Sequence, residues 1–158
     1  MNATARPIDR WFASYSDDHR NATNQRLHVA CVPAILWSVI ALLWCIPSPS
    51  TMFEPGIWAG LAMFGAAMFY LRQSRRIAIG MAATFLVFGL VTRALYATLG
   101  PRDLAVLAAA VFAVAWIGQF VGHKFEGRKP SFLTDLTYLL IGPAWVLAKL
   151  YRRLGIAW

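Results

Sequence analysis

The chain has 158 residues, 59% of them hydrophobic and only 14% charged, against about 45–50% and about 25% in soluble domains. Mean hydropathy is +0.54, and the apolar residues come in blocks too long for a soluble core helix; an ordinary water-soluble domain is excluded, because it would expose patches large enough to aggregate. The net charge of +8 does not point to nucleic acid, since the Lys and Arg residues lie between the hydrophobic blocks, where the inner loops of a membrane protein collect them.

Residues 1–28 form a polar arm carrying Arg6, Asp9, Arg10, Asp17, Asp18, Arg20 and Arg26. A cleavable signal peptide would have its apolar region here, so the first span is expected to serve as its own uncleaved insertion signal. The stretch from Asp17 to Leu27 has neither proline nor glycine, and it predicts a short helix capped by Ser14 or Ser16. The first hydrophobic block runs over 29–46, with Pro33 in its first turns, and the proline-rich segment Pro47–Pro55 ends it as a loop. A second block covers 56–71 and is followed by Arg72, Arg75 and Arg76. The third covers 77–99, Gly100-Pro101-Arg102-Asp103 reads as a tight turn, and the fourth covers 104–121. A loop is expected over 122–130. The last apolar block, 132–151, is interrupted by Asp135 and Gly142-Pro143 and reads as an interfacial or re-entrant helix.

The expected fold is therefore all-α: a polytopic membrane helical bundle of about four transmembrane helices. A polar N-terminal helix and a bent or interfacial C-terminal helix complete a single domain over 1–158. Cys31 and Cys45 are fourteen residues apart, about 21 Å along a helix, whereas a disulfide needs Cα atoms within about 7 Å. Both read as small buried apolar residues.

Topology carries a chemical consequence. Lys and Arg crowd the arm, the 72–76 connection and the 124–129 segment, whereas 47–55 has none and the 100–103 turn has only Arg102. By the positive-inside rule the former face the cytoplasm. The three histidines, His19, His28 and His123, then share the cytoplasmic side, and antiparallel helices can bring such ends within about 10 Å. A metal site is available, with hydrogen-bonded interfacial histidines as the plainer alternative. His19 and His28 are nine residues apart, which puts them on opposite faces of one helix. If both bind one ion, the helix must bend or end between them. Tyr15 and His19 share a helix face at i,i+4, as do Asn24 and His28.

The pattern Tyr15-xxx-His19-xxxx-Asn24-xxx-His28-xxxx-Pro33, with Gln119-Phe-Val-Gly-His123-Lys-Phe-Glu126-Gly-Arg-Lys-Pro130, resembles the two signatures of a membrane dioxygenase family. That family acts on 2-hydroxy fatty acids in fatty-acid α-oxidation, including phytosphingosine breakdown. The resemblance covers nearly the whole chain. It implies an Fe(II)-dependent oxidoreductase that converts a long-chain 2-hydroxy fatty acid and O2 to the acid one carbon shorter and CO2. His19, His28 and His123 are then the iron ligands. Asp17, Asp18, Asn24 and Glu126 are available to orient them, with a two-His-one-carboxylate site through Glu126 as a variant. Gln119, one turn before His123, would position a ligand or water. Arg20, Arg26, Lys124, Arg128 and Lys129 are candidates to attract the substrate carboxylate, or else plain topogenic charges.

The apolar tail would lie between helices or in the lipid bilayer. A bacterial inner membrane is the expected location, or the endoplasmic reticulum in a eukaryote, with the site on the cytoplasmic face. Oligomeric state, chain length and stereochemistry stay open. Di-iron desaturases draw on about eight histidines, which this chain cannot supply, and haem proteins keep axial histidines within their spans. The remaining alternative is a non-catalytic membrane protein, a small transporter or assembly factor.

Overall fold

A computed structural model of the chain describes residues 6–127 and 137–157. Among them are five helices and no strand: α1 Pro7–Asp17, α2 Ala22–Trp44, α3 Ile57–Gln73, α4 Arg75–Glu126 and α5 Tyr138–Arg153.

The polar arm folds differently from expectation. Its helix is α1, which starts with Pro7 at its first position, where the missing N–H costs nothing. The Asp9 carboxylate accepts the backbone N–H of Arg6 at 2.9 Å. Ile8, Phe12 and Tyr15 are buried at helical spacing along one face. The helix predicted across Asp17–Leu27 does not form as one piece. The chain leaves helical geometry after Asp17 and restarts at Ala22, because Asn21 caps the new helix: its side chain accepts the N–H groups of Thr23 at 2.8 Å and Asn24 at 3.2 Å. An asparagine cap of this kind is worth about 1 kcal/mol. Hydropathy marks where a helix enters apolar surroundings, and the cap marks where it begins; α2 therefore starts seven residues before the hydrophobic block. Pro33 lies well inside it and removes one intrahelical donor.

α4 is 52 residues long but has non-helical backbone at Gly100 (φ 78°, ψ 171°), a conformation that favours glycine. The turn expected over 100–103 thus contracts to Gly100, with Pro101 opening the second half. That half folds back along α2. Leu104 and Ala108 pack on Ala41, Gly118 faces Cys31 and Gly122 faces Asn24, so the two run antiparallel. The glycines, four apart, bring the helices close. A Cβ on Gly118 would stand 2.6 Å from Cys31 Sγ, and one on Gly122 would stand 2.5 Å from Asn24 Oδ1. Both cysteines are free.

The loop expected over 122–130 is corrected as well. The helix continues to Glu126 and ends on Gly127 at φ 70°, so His123 sits on a helix. Residues 132–136 of the expected last helix, Asp135 included, lie outside the described residues. α5 buries Ile141, Ala144, Trp145 and Ala148 along one face. It lies on α1 through Tyr138, whose hydroxyl is 2.7 Å from Ser14 Oγ, and it meets the end of α3, where Tyr70 Oη donates to the Leu140 carbonyl at 2.7 Å.

Among the described residues, α2 and α4 are the two helices long and apolar enough to cross a membrane, while α3 has 17 residues. The outward faces of α3 and α4 are largely apolar: Leu61, Phe64, Ile79, Leu86, Val106 and Val114 are all more than half exposed.

Candidate metal centre

The break between α1 and α2 folds His19 back over the first turns of α2. His19 Nε2 lies 3.0 Å from His28 Nε2. The second half of α4 adds His123, and the ligand atoms of all three lie within 4.8 Å of one another. His19 and His28 are each 1% exposed and His123 is 5% exposed, so the cluster is dry. Burial pushes the His19 imidazole below its ordinary pKa, towards the neutral form that binds metals.

The hydrogen bonds fix the tautomers. His19 Nδ1 meets the Tyr15 carbonyl at 2.6 Å and His28 Nδ1 meets the Asn24 carbonyl at 3.0 Å. A carbonyl only accepts, so both Nδ1 atoms carry the proton. Both Nε2 atoms then present lone pairs to each other across 3.0 Å, an arrangement that repels unless a cation lies between them. Two nitrogen ligands at right angles on an ion about 2.1 Å away stand about 3.0 Å apart, against about 3.4 Å for tetrahedral ligands. The observed separation lets both nitrogens reach a single ion.

Packing holds the ligands in place. The Tyr15 ring stacks on His19 with centroids 4.1 Å apart. Trp145 lies 5.7 Å from the same imidazole and donates to Ser16 Oγ at 2.9 Å. Gln25 Nε2 donates to the His19 carbonyl at 2.6 Å, and Lys149 Nζ donates to Gln25 Oε1 at 2.6 Å. These partners come from α1, α2 and α5. Of them only Tyr15 is signalled by spacing, since Gln25, Trp145 and Lys149 carry no pattern linking them to the histidines.

Glu126, three residues after His123, faces the α1–α2 connection. Its carboxylate accepts the N–H groups of Arg20 at 2.8 Å and Asn21 at 2.9 Å, and the Asn24 side-chain amide at 2.9 Å. It thereby latches the segment between His19 and α2 to the end of α4. Replacing Glu126 by Gln is expected to weaken divalent-ion binding by about tenfold or less, since the amide keeps an acceptor oxygen while losing charge-assisted bonds. A metal titration compares it with His123→Ala, and an equal loss in the two variants would make Glu126 a ligand.

A cavity of about 350 Å³ opens from the cluster. It follows α2 past Val32 and Ile35 to Val39, about 16 Å along the helix from His28, and α4 past Gln119 and Trp116 to Phe112. Gln119 is thus brought to the histidines. Arg20, Arg26 and Lys124 are exposed and do not line the cavity, and the Arg20 guanidinium pairs with Asp17 at 2.9 Å. Asn24 lies under the cluster, fully buried. Arg128 and Lys129 lie outside the described residues.

A buried three-histidine cluster thus heads an apolar cavity within a helical bundle. The chain belongs to the Mpo1-like 2-hydroxy-palmitic acid dioxygenase family, whose model matches residues 5–154. It is 25% identical over 143 residues to the 2-hydroxy-palmitic acid dioxygenase MPO1 of Saccharomyces cerevisiae, an alignment covering 89% of this chain and 78% of the yeast protein. No solved structure matches.

Proposed function

We propose that this protein is a membrane-embedded, Fe(II)-dependent dioxygenase that shortens a long-chain 2-hydroxy fatty acid by one carbon. The observation that carries the reading is the facing pair of Nε2 lone pairs, joined by His123, at the head of an apolar cavity. His19, His28 and His123 would hold the iron. When bound, the iron would supply O2 activation beside the carbon that bears the hydroxyl.

The chain's own residues do the rest. Tyr15 and Asn24 carbonyls hold two imidazoles in the ligating tautomer. The dry cluster excludes water that would compete with substrate. The wall from Val32 to Val39 and Phe112 accepts the alkyl tail and fixes the position of the acid head. The balanced reaction takes the 2-hydroxy acid and O2 to the shortened acid, CO2 and water. The substrate itself supplies every electron that O2 accepts, so no reductase partner is needed.

The apolar outward faces support a lipid surrounding. In this reading α2, α3 and the two halves of α4 make four spans of one domain, with α5 lying at the interface. Arg20, Arg26, Arg75 and Lys124 then face the cytoplasm, of a bacterial inner membrane in the simplest case, and so does the centre.

The test uses the purified full chain in detergent with 2-hydroxypalmitate and O2, after metal removal and after Fe(II) addition. Pentadecanoate is expected by mass spectrometry only from the iron-loaded protein. A folded sample that binds no iron and forms no shortened acid would instead favour a non-catalytic membrane protein.

A further inference from the structure

The substrate class proposed above has an anionic head, yet among the described residues the cavity wall carries no Lys or Arg. Its polar members are the three histidines, Tyr15, Tyr138, Trp116 and Gln119. Tyr138 is already engaged with Ser14. Gln119 is the one amide among them. It is 5% exposed, and its amide Nε2 is buried with no hydrogen-bond partner. It stands one turn before His123 on the same face of α4. A buried donor left unmatched is costly, and Gln119 is one of the residues that line the cavity.

We infer that Gln119 reads the acid head of the ligand: its amide N–H donates to the carboxylate of the bound 2-hydroxy acid. The role rests on the reading under "Proposed function" and adds to it the group that distinguishes an acid from other long-chain lipids. A neutral donor also suits the chemistry. Loss of CO2 discharges the carboxylate, so a cation paired with it would stabilise the starting state more than the transition state and slow the reaction. An amide orients the carboxylate at a smaller penalty. The exposed Arg20, Arg26 and Lys124 are left to raise the local concentration of anionic lipid.

The experiment measures anaerobic binding of radiolabelled 2-hydroxypalmitate to the full chain, and of hexadecane-1,2-diol, which has the same tail and hydroxyl but no carboxylate. Both are measured with and without Fe(II). Gln119→Leu is expected to weaken the acid about tenfold and leave the diol within about twofold. Gln119→Glu should weaken the acid further by charge repulsion, and Gln119→Asn should lie between wild type and Gln119→Leu. Iron stoichiometry reports that the histidine cluster is intact in each variant, and the Asn and Glu variants keep the test decisive if Gln119→Leu fails to fold. Equal losses for acid and diol, or no loss for either, would overturn the role. Acid selectivity that depends on Gln119 in a wild type that forms no pentadecanoate would sink the proposed reaction and leave this inference standing. Pentadecanoate formation with unchanged selectivity in the variants would do the reverse.

Discussion

Replacing His28 by alanine is expected to abolish both iron retention and acid shortening while leaving the helical bundle folded. His28 forms a triangle with the other two histidines, its ring centroid 4.2 Å from that of His19 and 5.0 Å from that of His123, which is itself 5.0 Å from His19. Removing it leaves a two-ligand site and relieves the lone-pair repulsion across 3.0 Å, so the metal-free protein loses little. The iron affinity should fall by more than about 100-fold, beyond what is typical for residues that merely orient ligands. Iron content after anaerobic desalting, read beside the circular dichroism spectrum, checks both halves. Full iron retention in a folded His28→Ala protein would remove the three-histidine centre.

Gly122→Ala comes next in expected size. The added methyl would stand 2.5 Å from Asn24 Oδ1 and 3.5 Å from Leu27 Cδ1. Asn24 is fully buried, its side chain is held by Glu126, and its carbonyl orients His28. It cannot step aside without giving up these bonds, so α2 and α4 must separate instead. Overpacking of this kind costs about 1–3 kcal/mol. A lowered thermal midpoint should accompany a roughly tenfold or greater loss of iron affinity. Asn24→Ala on the same chain should recover the packing but not the affinity, which makes the two substitutions non-additive. If Gly122→Ala behaves as wild type in both measurements, the close α2–α4 approach is wrong.

Part of this arrangement is legible in the chain. The alternation of Lys and Arg segments around the apolar blocks predicts one side for His19, His28 and His123. For His19 and His28 to meet one ion, the nine-residue gap between them requires a bend or a helix end, and the structure has a helix end at Asp18–Asn21. The position of that end is not legible, because Ser14 and Ser16 look as suitable for capping as Asn21. The choice is made from 105 residues away by Glu126, which binds the Asn21 N–H group. The same distance hides the direction of Glu126: three residues after His123 on a helix it could turn to an ion, but Arg20, Asn21 and Asn24 offer it donors. Spans by length are equally indirect. Gly100 is visible as a breaker, yet only the packing of Leu104 and Ala108 on Ala41 reveals the reversal of the chain.

The separation of the ligands along the chain also sets when a centre can exist. His19 and His28 are synthesised early, on either side of the Asn21 cap, and can offer an ion two nitrogens at most. His123 arrives only after the reversal at Gly100 has laid the last turns of α4 against α2. A nascent chain therefore lacks the full cluster until α4 is in place, and an ion held by all three histidines would be bound only at the final stage of biogenesis. An ion held by all three would then tie the α1–α2 region to the end of α4 in a bundle that is already assembled.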